Sequence, residues 1–325
     1  MIRALVSGRI VRHPTVRREN DTFMRWSFVW GFTAGSFERT FMETYQIVLL
    51  CVFGGLALLA LLFLYLKFFF FIRPSTGKAR RHLMQKYRGV KFAHRGLHDG
   101  GRAENSLSAF RAAVAGGYGI ELDVRLCRSG ELVVFHDATL NRVCGVEGKV
   151  IDRTAKELAA LSLSNTGEGV PTFRQVLDTV AGAVPLLIEI KMEGDEKGIA
   201  EKLCEELVGY NGDYIVESFN PLALRIMKKR MPRIPRGILS TLYSEENKYK
   251  DKFLYSVILQ GLYLNFLCRP DFIAYYKGGH GQKNLRRIRK RYKTPLFAWT
   301  VRSESEEAEA LSRGFDSVIF ENYIA

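Results

Sequence analysis

Glu121 and Asp123 are separated by one residue in a run otherwise made of Ile120, Leu122 and Val124. On a β-strand successive side chains point to opposite faces, so both carboxylates share one face and the apolar residues the other. Neighbouring carboxylates repel unless a proton or a cation lies between them. An exposed polar face would leave them in water. Inside a fold they call for a partner, and a hard divalent cation with oxygen ligands is the natural one. The theme recurs at 186–191, Leu-Leu-Ile-Glu-Ile-Lys, where Glu189 and Lys191 share a face. An ion pair at a strand end would account for those two alone. With two other acids already pointed inward, Glu189 becomes a candidate third metal ligand and Lys191 a cation for phosphate.

His94-Arg95 and His136-Asp137 each close a short apolar run. A lone histidine is usually a structural hydrogen-bonder. Two of them near carboxylates and cations suggest a general acid and a general base. Arg95 offers the planar fork that suits a phosphate. Glu104-Asn105-Ser106 follows a glycine-bearing loop and opens a helical pattern, which returns Glu104 and Asn105 toward the same strand end.

These residues need elements to hold them. From residue 90 onward, short β-branched runs alternate with helical segments. The expected strands are 90–94, 119–125, 132–136, 185–190, 214–219, 235–240, 271–276, 295–301 and 316–320. Helical spacing is seen at 106–116, 172–180, 199–210, 221–231, 283–292 and 303–313. The fold class is therefore α/β, and about eight units in roughly 235 residues fit a (β/α)8 TIM barrel. One step breaks the alternation. Between Asp123 and His136 there is no room for a crossover helix, since parallel strands need about a dozen linking residues or more. Arg128-Ser129-Gly130 reads instead as a hairpin turn, a β-hairpin excursion after the second strand that sets Asp123 near Phe135.

His94-Arg95-Gly96, Glu104-Asn105-Ser106, 121–124 (Glu-Leu-Asp-Val), His136-Asp137, 188–191 (Ile-Glu-Ile-Lys), Ser218-Phe219 and Trp299-Thr300-Val301 stand in order along the chain. In this the chain resembles the glycerophosphodiester phosphodiesterase family over roughly residues 90–322. The resemblance implies a barrel that hydrolyses glycerophosphodiesters to an alcohol and glycerol 3-phosphate. It implies that Glu121, Asp123 and Glu189 hold Mg²⁺ or Ca²⁺, and that His94 and His136 are the acid/base pair. Arg95 and Lys191 would clamp the phosphate, Glu104 and Asn105 would complete the rim, and Trp299 would pack against the glycerol moiety. At the barrel's end, Phe320-Glu321-Asn322 departs from the family's commoner aspartate after a threonine, so no role is carried over to Glu321.

Residues 47–66, Ile-Val-Leu-Leu-Cys-Val-Phe-Gly-Gly-Leu-Ala-Leu-Leu-Ala-Leu-Leu-Phe-Leu-Tyr-Leu, carry no charge. At about 1.5 Å per residue they span roughly 30 Å, the thickness of a bilayer's hydrocarbon core. The run is apolar on all faces, unlike a core helix. It is too long for a cleaved signal peptide. The expected organisation is an N-terminal extension at 1–45, a transmembrane helix at 46–72, a basic juxtamembrane linker at 73–89 and the barrel at 90–325. Met42 would make a natural beginning, so residues 1–41 are suspected to be an over-extended gene model. Arg73, Lys78, Arg80, Arg81, Lys86, Arg88 and Lys91 follow the span, whereas Arg39 is the only basic residue in the twenty before it. That bias predicts a single-pass protein of the cell membrane with its catalytic domain in the cytoplasm.

The net charge of +14 does not point to nucleic acid, because residues 1–91 hold 15 Lys/Arg against 4 Asp/Glu and the rest of the chain is nearly balanced. Five cysteines, at 51, 127, 144, 204 and 268, show no metal-binding spacing. The apolar stretch at 240–280 reads as barrel packing or as a lipid-facing surface, beside a charge run at Arg286, Arg287, Arg289, Lys290, Arg291 and Lys293. Besides a glycerophosphodiesterase, the alternatives are a lysophospholipase D acting on lysophospholipids at the membrane, and a non-catalytic headgroup-binding barrel.

Overall fold

The computed structural model describes residues 34–98, 101–191, 196–242 and 253–325; the expectations about residues 1–33 lie outside these. The chain forms two compact units, Met1–Leu64 and Tyr65–Ala325. The first is described by one helix, α1 (Ala34–Tyr65), whose turns continue as a π-helical stretch, Leu66–Phe70. Helix formation thus starts within the segment read as an N-terminal extension. Among the described residues, Phe41–Phe70 is the one helix long and apolar enough to cross a membrane. Its apolar side chains are exposed all round, Leu50 by 72% and Leu58 by 68%.

Among the described residues, the second unit holds nine strands: β1 (Lys91–Ala93), β2 (Gly119–Leu126), β3 (Leu132–Val134), β4 (Leu186–Ile190), β5 (Tyr214–Ser218), β6 (Arg236–Ser240), β7 (Phe272–Tyr276), β8 (Leu296–Val301) and β9 (Ser317–Phe320). Eight are parallel neighbours in the order β1-β9-β8-β7-β6-β5-β4-β2, and a β1–β2 pairing closes the circle. The fold is a (β/α)8 barrel. β3 is the exception: it runs antiparallel along the far end of β2, with Val124 opposite Val134 and Leu126 opposite Leu132. The Phe135 N–H donates to the Asp123 carbonyl at 2.9 Å, so the hairpin has the register read from the sequence. Gly130 turns the chain with φ of 80°, a left-handed conformation that glycine adopts without strain.

Helices α2 (Lys78–Gln85), α3 (Leu107–Ala115), α4 (Phe173–Val180), α5 (Glu196–Glu206), α6 (Pro221–Arg230), α7 (Phe253–Gln260), α8 (Lys283–Tyr292) and α9 (Glu304–Ser312) accompany the strands. The Ser106 hydroxyl caps α3 by accepting the Ala109 N–H, which fixes where the chain after Asn105 turns helical. Thr172 and Gln175 form a reciprocal capping box on α4.

Strand alternation separates two apolar sets. Ile120, Leu122, Val124, Ile188 and Ile190 point outward and pack with Phe110, Phe173 and Leu203 of the helices. Phe92, Leu187, Ile215, Leu239, Phe272, Phe297 and Ile319 fill the interior. Met84 and Tyr87, from the segment read as a linker, join this second set. Arg80, Lys86 and Arg88 of that segment pair with Asp271, Asp213 and Asp316 of the barrel at 3.2, 2.5 and 3.0 Å. The basic stretch is thus folded onto the barrel, through partners distant in sequence. Residues 137–170, where no element was expected, form a satellite core in which Leu140, Val143, Leu158 and Val170 pack with Phe135 from the end of the expected strand 132–136. Of the apolar stretch after residue 240, Leu262 and Cys268 are buried, while Phe266 packs against Phe70 and Phe71 with ring centres 5.5 and 5.3 Å away. Residues 243–252 lie outside the described chain.

Candidate active site

The inward positions turn polar one step above the apolar floor. On β2, Glu121 and Asp123 are buried, and on β4 Glu189 follows the floor residue Leu187. Candidate ligand oxygens of Glu121, Asp123 and Glu189 all lie within 4.8 Å of one another. Lys191, just past β4, stands 2.9 Å from Glu189 Oε1 and 3.2 Å from Asp123 Oδ1. Glu217 on β5 is the Cα partner of Glu189 and is 1% exposed, with Oε2 lacking a hydrogen-bond partner.

Burial first, then repulsion from Asp123, Glu189 and Glu217, raises Glu121 well above the usual carboxylate range. Burial and the charges of Glu189 and Asp123 raise Glu217 likewise. For Asp123 burial works the same way, but Lys191, His136, Arg95 and the Asn105 amide together hold it well below its usual value. With all four carboxylates ionised, Arg95 and Lys191 would leave an excess of two negative charges, and the raised Glu121 and Glu217 are the response to that excess. Buried charge of that kind needs compensation, and oxygen donors with a −2 excess fit a hard divalent cation.

The loop after β1 is held by the same acids. Arg95 has φ of 58° and Asn105 of 56°, left-handed conformations that non-glycine residues adopt when surroundings enforce them. The enforcing contacts are visible. The Arg95 N–H donates to Glu121 Oε2 at 2.8 Å, and the Asn105 N–H donates to the Arg95 carbonyl at 2.8 Å. The Asn105 side-chain amide donates to Asp123 Oδ2 at 2.8 Å. The Arg95 guanidinium reaches Glu104 Oε1 at 2.8 Å, with its Nε 3.6 Å from Asp123 Oδ2.

Each histidine rests on a carboxylate. His94 Nδ1 lies 2.5 Å from Glu321 Oε2, and Glu321 Oε1 accepts from Arg302 Nε at 2.7 Å. Burial, then Arg95, lowers His94 to about 4 against the opposing pull of Glu321. Burial alone would raise Glu321, yet its hydrogen bond to His94 and the Arg302 charge hold it at about 2. His136 Nδ1 lies 2.6 Å from Asp137 Oδ1. Asp137 Oδ2 accepts from Arg142 Nε at 2.6 Å, and Arg142 forks onto both Glu104 oxygens at 2.7 Å. A continuous polar chain therefore runs from His136 through Asp137, Arg142 and Glu104 to Arg95.

His94, Arg95, Glu121, His136, Glu189, Lys191 and Trp299 line one cavity of about 280 Å³, together with Glu217, Phe219 and Arg302. Trp299 meets the edge of Phe219 at 5.7 Å between ring centres and Tyr276 at 6.3 Å. The other three expected site residues stand behind this lining. Asp123 is fully buried, Asn105 holds it, and Glu104 joins Arg95 to Arg142. The sequence reading passed over Glu217, Arg302, Arg142 and Glu321. Glu217 was within reach of it: Ile215, Glu217 and Phe219 alternate on one face as Leu187, Glu189 and Lys191 do.

Residues 94–324 match the model of the glycerophosphoryl diester phosphodiesterase family. The chain belongs to that family. It is accordingly a phosphoric diester hydrolase by membership. It is 31% identical over 228 residues to a glycerophosphodiester phosphodiesterase of Caldanaerobacter subterraneus, covering 66% of this chain and 87% of that one. A Bacillus altitudinis glycerophosphodiester phosphodiesterase is 30% identical over 239 residues, covering 70% and 92%. Among solved structures, an Oleispira antarctica phosphodiesterase in complex with the product sn-glycerol 3-phosphate superposes with a TM-score of 0.60 at 24% identity, covering 74% of this chain and 95% of that one. That likeness shows the barrel fold.

Proposed function

We propose that the cavity hydrolyses glycerophosphodiesters to an alcohol and sn-glycerol 3-phosphate, with Glu121, Asp123 and Glu189 holding Mg²⁺ or Ca²⁺. The observation that carries this reading is the convergence of those three carboxylates, Glu121 and Glu189 lining the cavity and Asp123 directly behind them, beside two carboxylate-bound histidines. A divalent ion bound there would neutralise charge on a non-bridging phosphate oxygen. Arg95 and Lys191 supply fixed positive charge at the same wall, where it stabilises the charge that develops as the P–O bond breaks.

Both imidazoles are poised alike. Glu321 and Asp137 are held ionised, so each accepts a hydrogen bond from a histidine Nδ1–H. That tautomer leaves Nε2 as the atom free to exchange a proton. One histidine, neutral, takes the nucleophile's proton at Nε2, and the other, as the imidazolium with a proton on Nε2, gives that proton to the leaving alkoxide, steps that typically contribute on the order of 10²–10⁴-fold each. Trp299, Phe219 and Tyr276 offer an aromatic wall for the glycerol carbons.

The test is a panel of glycerophosphodiesters assayed with Mg²⁺, Ca²⁺ or a chelator, on the native chain and on His94→Ala and Glu121→Ala. Hydrolysis that needs metal and falls by at least about 10²-fold in both variants is expected. Unchanged turnover in both would overturn the assignment. The apolar helix Phe41–Phe70 favours a second reading, a lysophospholipase D whose substrate keeps an acyl chain. Faster turnover of lysophosphatidylcholine than of glycerophosphocholine would select it. The same helix, followed by the cations from Arg73 to Lys91, supports a single-pass anchor with the barrel on the cytoplasmic side. Protease protection of the barrel in sealed inverted vesicles would refute that orientation.

A further inference from the structure

A second cavity, of about 590 Å³, lies between α8 and the end of α9, away from the residues of the candidate active site. Its floor is apolar: Leu285, Leu296 and Phe315. Its rim is cationic, with Arg88, Arg286, Arg289, Lys290, Lys293 and Arg313 against a single carboxylate, Asp316. Asp316 is already engaged by Arg88 at 3.0 Å, and Arg313 is matched by Glu309 at 2.5 Å. Among the described residues, Arg286, Lys290 and Lys293 face no carboxylate. Arg286 and Lys290 lie four apart on one flank of α8, and Lys293, the residue that caps its C-terminus, lines the same cleft.

The opposite flank of α8 has another task. Arg287 lies over the Phe68 ring at 4.3 Å and Arg291 over Phe69 at 4.8 Å. Arg269 lies over Phe70 at 5.3 Å. Residues 66–71, the end of the apolar run, therefore pack on the barrel beside α8, and aromatic rings with cations mark the headgroup level of a bilayer. The cleft and those rings thus share α8, the cleft through Arg286 and Lys290 and the rings through Arg287 and Arg291.

We infer that this cleft is an accessory site for the headgroup of an anionic phospholipid, with the phosphate on Arg286, Lys290 and Lys293 and the glycerol carbons over Leu285, Leu296 and Phe315. The inference goes beyond hydrolysis at the barrel mouth and rests on the reading of Phe41–Phe70 as a membrane anchor for its source of lipid. The lipid serves here as ligand and not as substrate, and the comparison of variants separates its binding at the cleft from any contact of its free headgroup glycerol with the catalytic cavity.

The experiment titrates the full chain in an uncharged maltoside detergent with dihexanoylphosphatidylglycerol, dihexanoylphosphatidylcholine or inorganic phosphate, read by calorimetry. Three proteins are compared: the native chain, R286E/K290E in the cleft, and R287E/R291E on the opposite flank. Contributions from the catalytic cavity are common to all three, and hydrolysis of a soluble glycerophosphodiester is expected to be unchanged in R286E/K290E. At about 1 kcal/mol per cation, removing two should weaken phosphatidylglycerol binding by roughly 30-fold or more. The R287E/R291E protein should bind as the native chain does, and phosphatidylcholine should bind at least roughly tenfold more weakly than phosphatidylglycerol. Equal losses in both variants would mean diffuse helix charge and overturn the cleft. Inorganic phosphate binding as tightly as the lipid would overturn the lipid as its source. Because no bilayer is used, these outcomes stand apart from the fate of the anchor and of the proposed hydrolysis.

Discussion

Replacing Glu121 by glutamine should stabilise the metal-free protein while removing its response to metal. Glu121, Asp123 and Glu189 offer oxygens within 4.8 Å of one another. At that separation two ionised carboxylates repel by about 3.5 kcal/mol at an effective dielectric constant near 20. Lys191 offsets Asp123 and Glu189 by direct contact, whereas among the described residues no cationic side chain is in direct contact with Glu121, which accepts the Arg95 backbone N–H. The alternative to repulsion is protonation. Holding a carboxyl of ordinary pKa 4.5 protonated at pH 7 costs about 3.4 kcal/mol, at 1.36 kcal/mol per unit. The two routes cost about the same. Glutamine keeps an oxygen for the Arg95 N–H and carries no charge, so it should recover about 3 kcal/mol. For a barrel of this size that raises Tm by roughly 6–12 °C.

The sign with pH follows from the raised pKa. Above pH 4.5 the folded chain binds more protons at Glu121 than the unfolded chain does, so stability in chelator falls as pH rises. The glutamine variant lacks that contribution, and the difference between the two proteins should widen from pH 5 toward pH 8. With the ion at about 100 times its Kd, the native chain gains about 2.7 kcal/mol and the variant little. Thermal unfolding of both proteins, with chelator, Mg²⁺ or Ca²⁺, reads all of this. A lower Tm for Glu121→Gln in chelator, or a metal-induced rise equal to that of the native chain, would refute the charge argument.

Two other substitutions test the supporting structure. Glu321→Gln should lower kcat by about 10²-fold or more, since an amide at 2.5 Å from His94 Nδ1 no longer enforces the Nδ1–H tautomer; a pH–rate profile unchanged in shape and height would count against that role. Gly237→Ala should destabilise the barrel by about 1–3 kcal/mol without altering the metal response, because a Cβ there would stand 2.2 Å from the Phe272 ring, and urea unfolding measures it.

The barrel was legible because its strands are short, β-branched and separated by helical spacing, so all nine strands lie within one or two residues of the expected ends. The hairpin was legible by counting: Asp123 and His136 are thirteen positions apart, and with both ends of that interval in strands no room is left for a helix. Other parts carried no such signal. The satellite core of residues 137–170 has short helices of four and five residues, too brief to show a period. The segment 73–89 looked like a solvated basic linker because its acidic partners, Asp213, Asp271 and Asp316, sit 127 to 228 positions away.

The missed carboxylates are instructive because parity alone would have reached them. Five of the seven floor residues are followed two positions later by a side chain of the site: Phe92 by His94, Leu187 by Glu189, Ile215 by Glu217, Phe297 by Trp299 and Ile319 by Glu321. Two positions return a strand to the same face, one step of about 6.6 Å nearer its carboxyl end. Glu321 was set aside because it departs from a family pattern, although the same parity places it inward beside β1, where β9 pairs with Phe92 and Ala93. A family pattern records which residue is usual at a position, whereas strand parity states which face any residue there must occupy. At Glu321 the second statement decides the contact, and His94 lies 2.5 Å away.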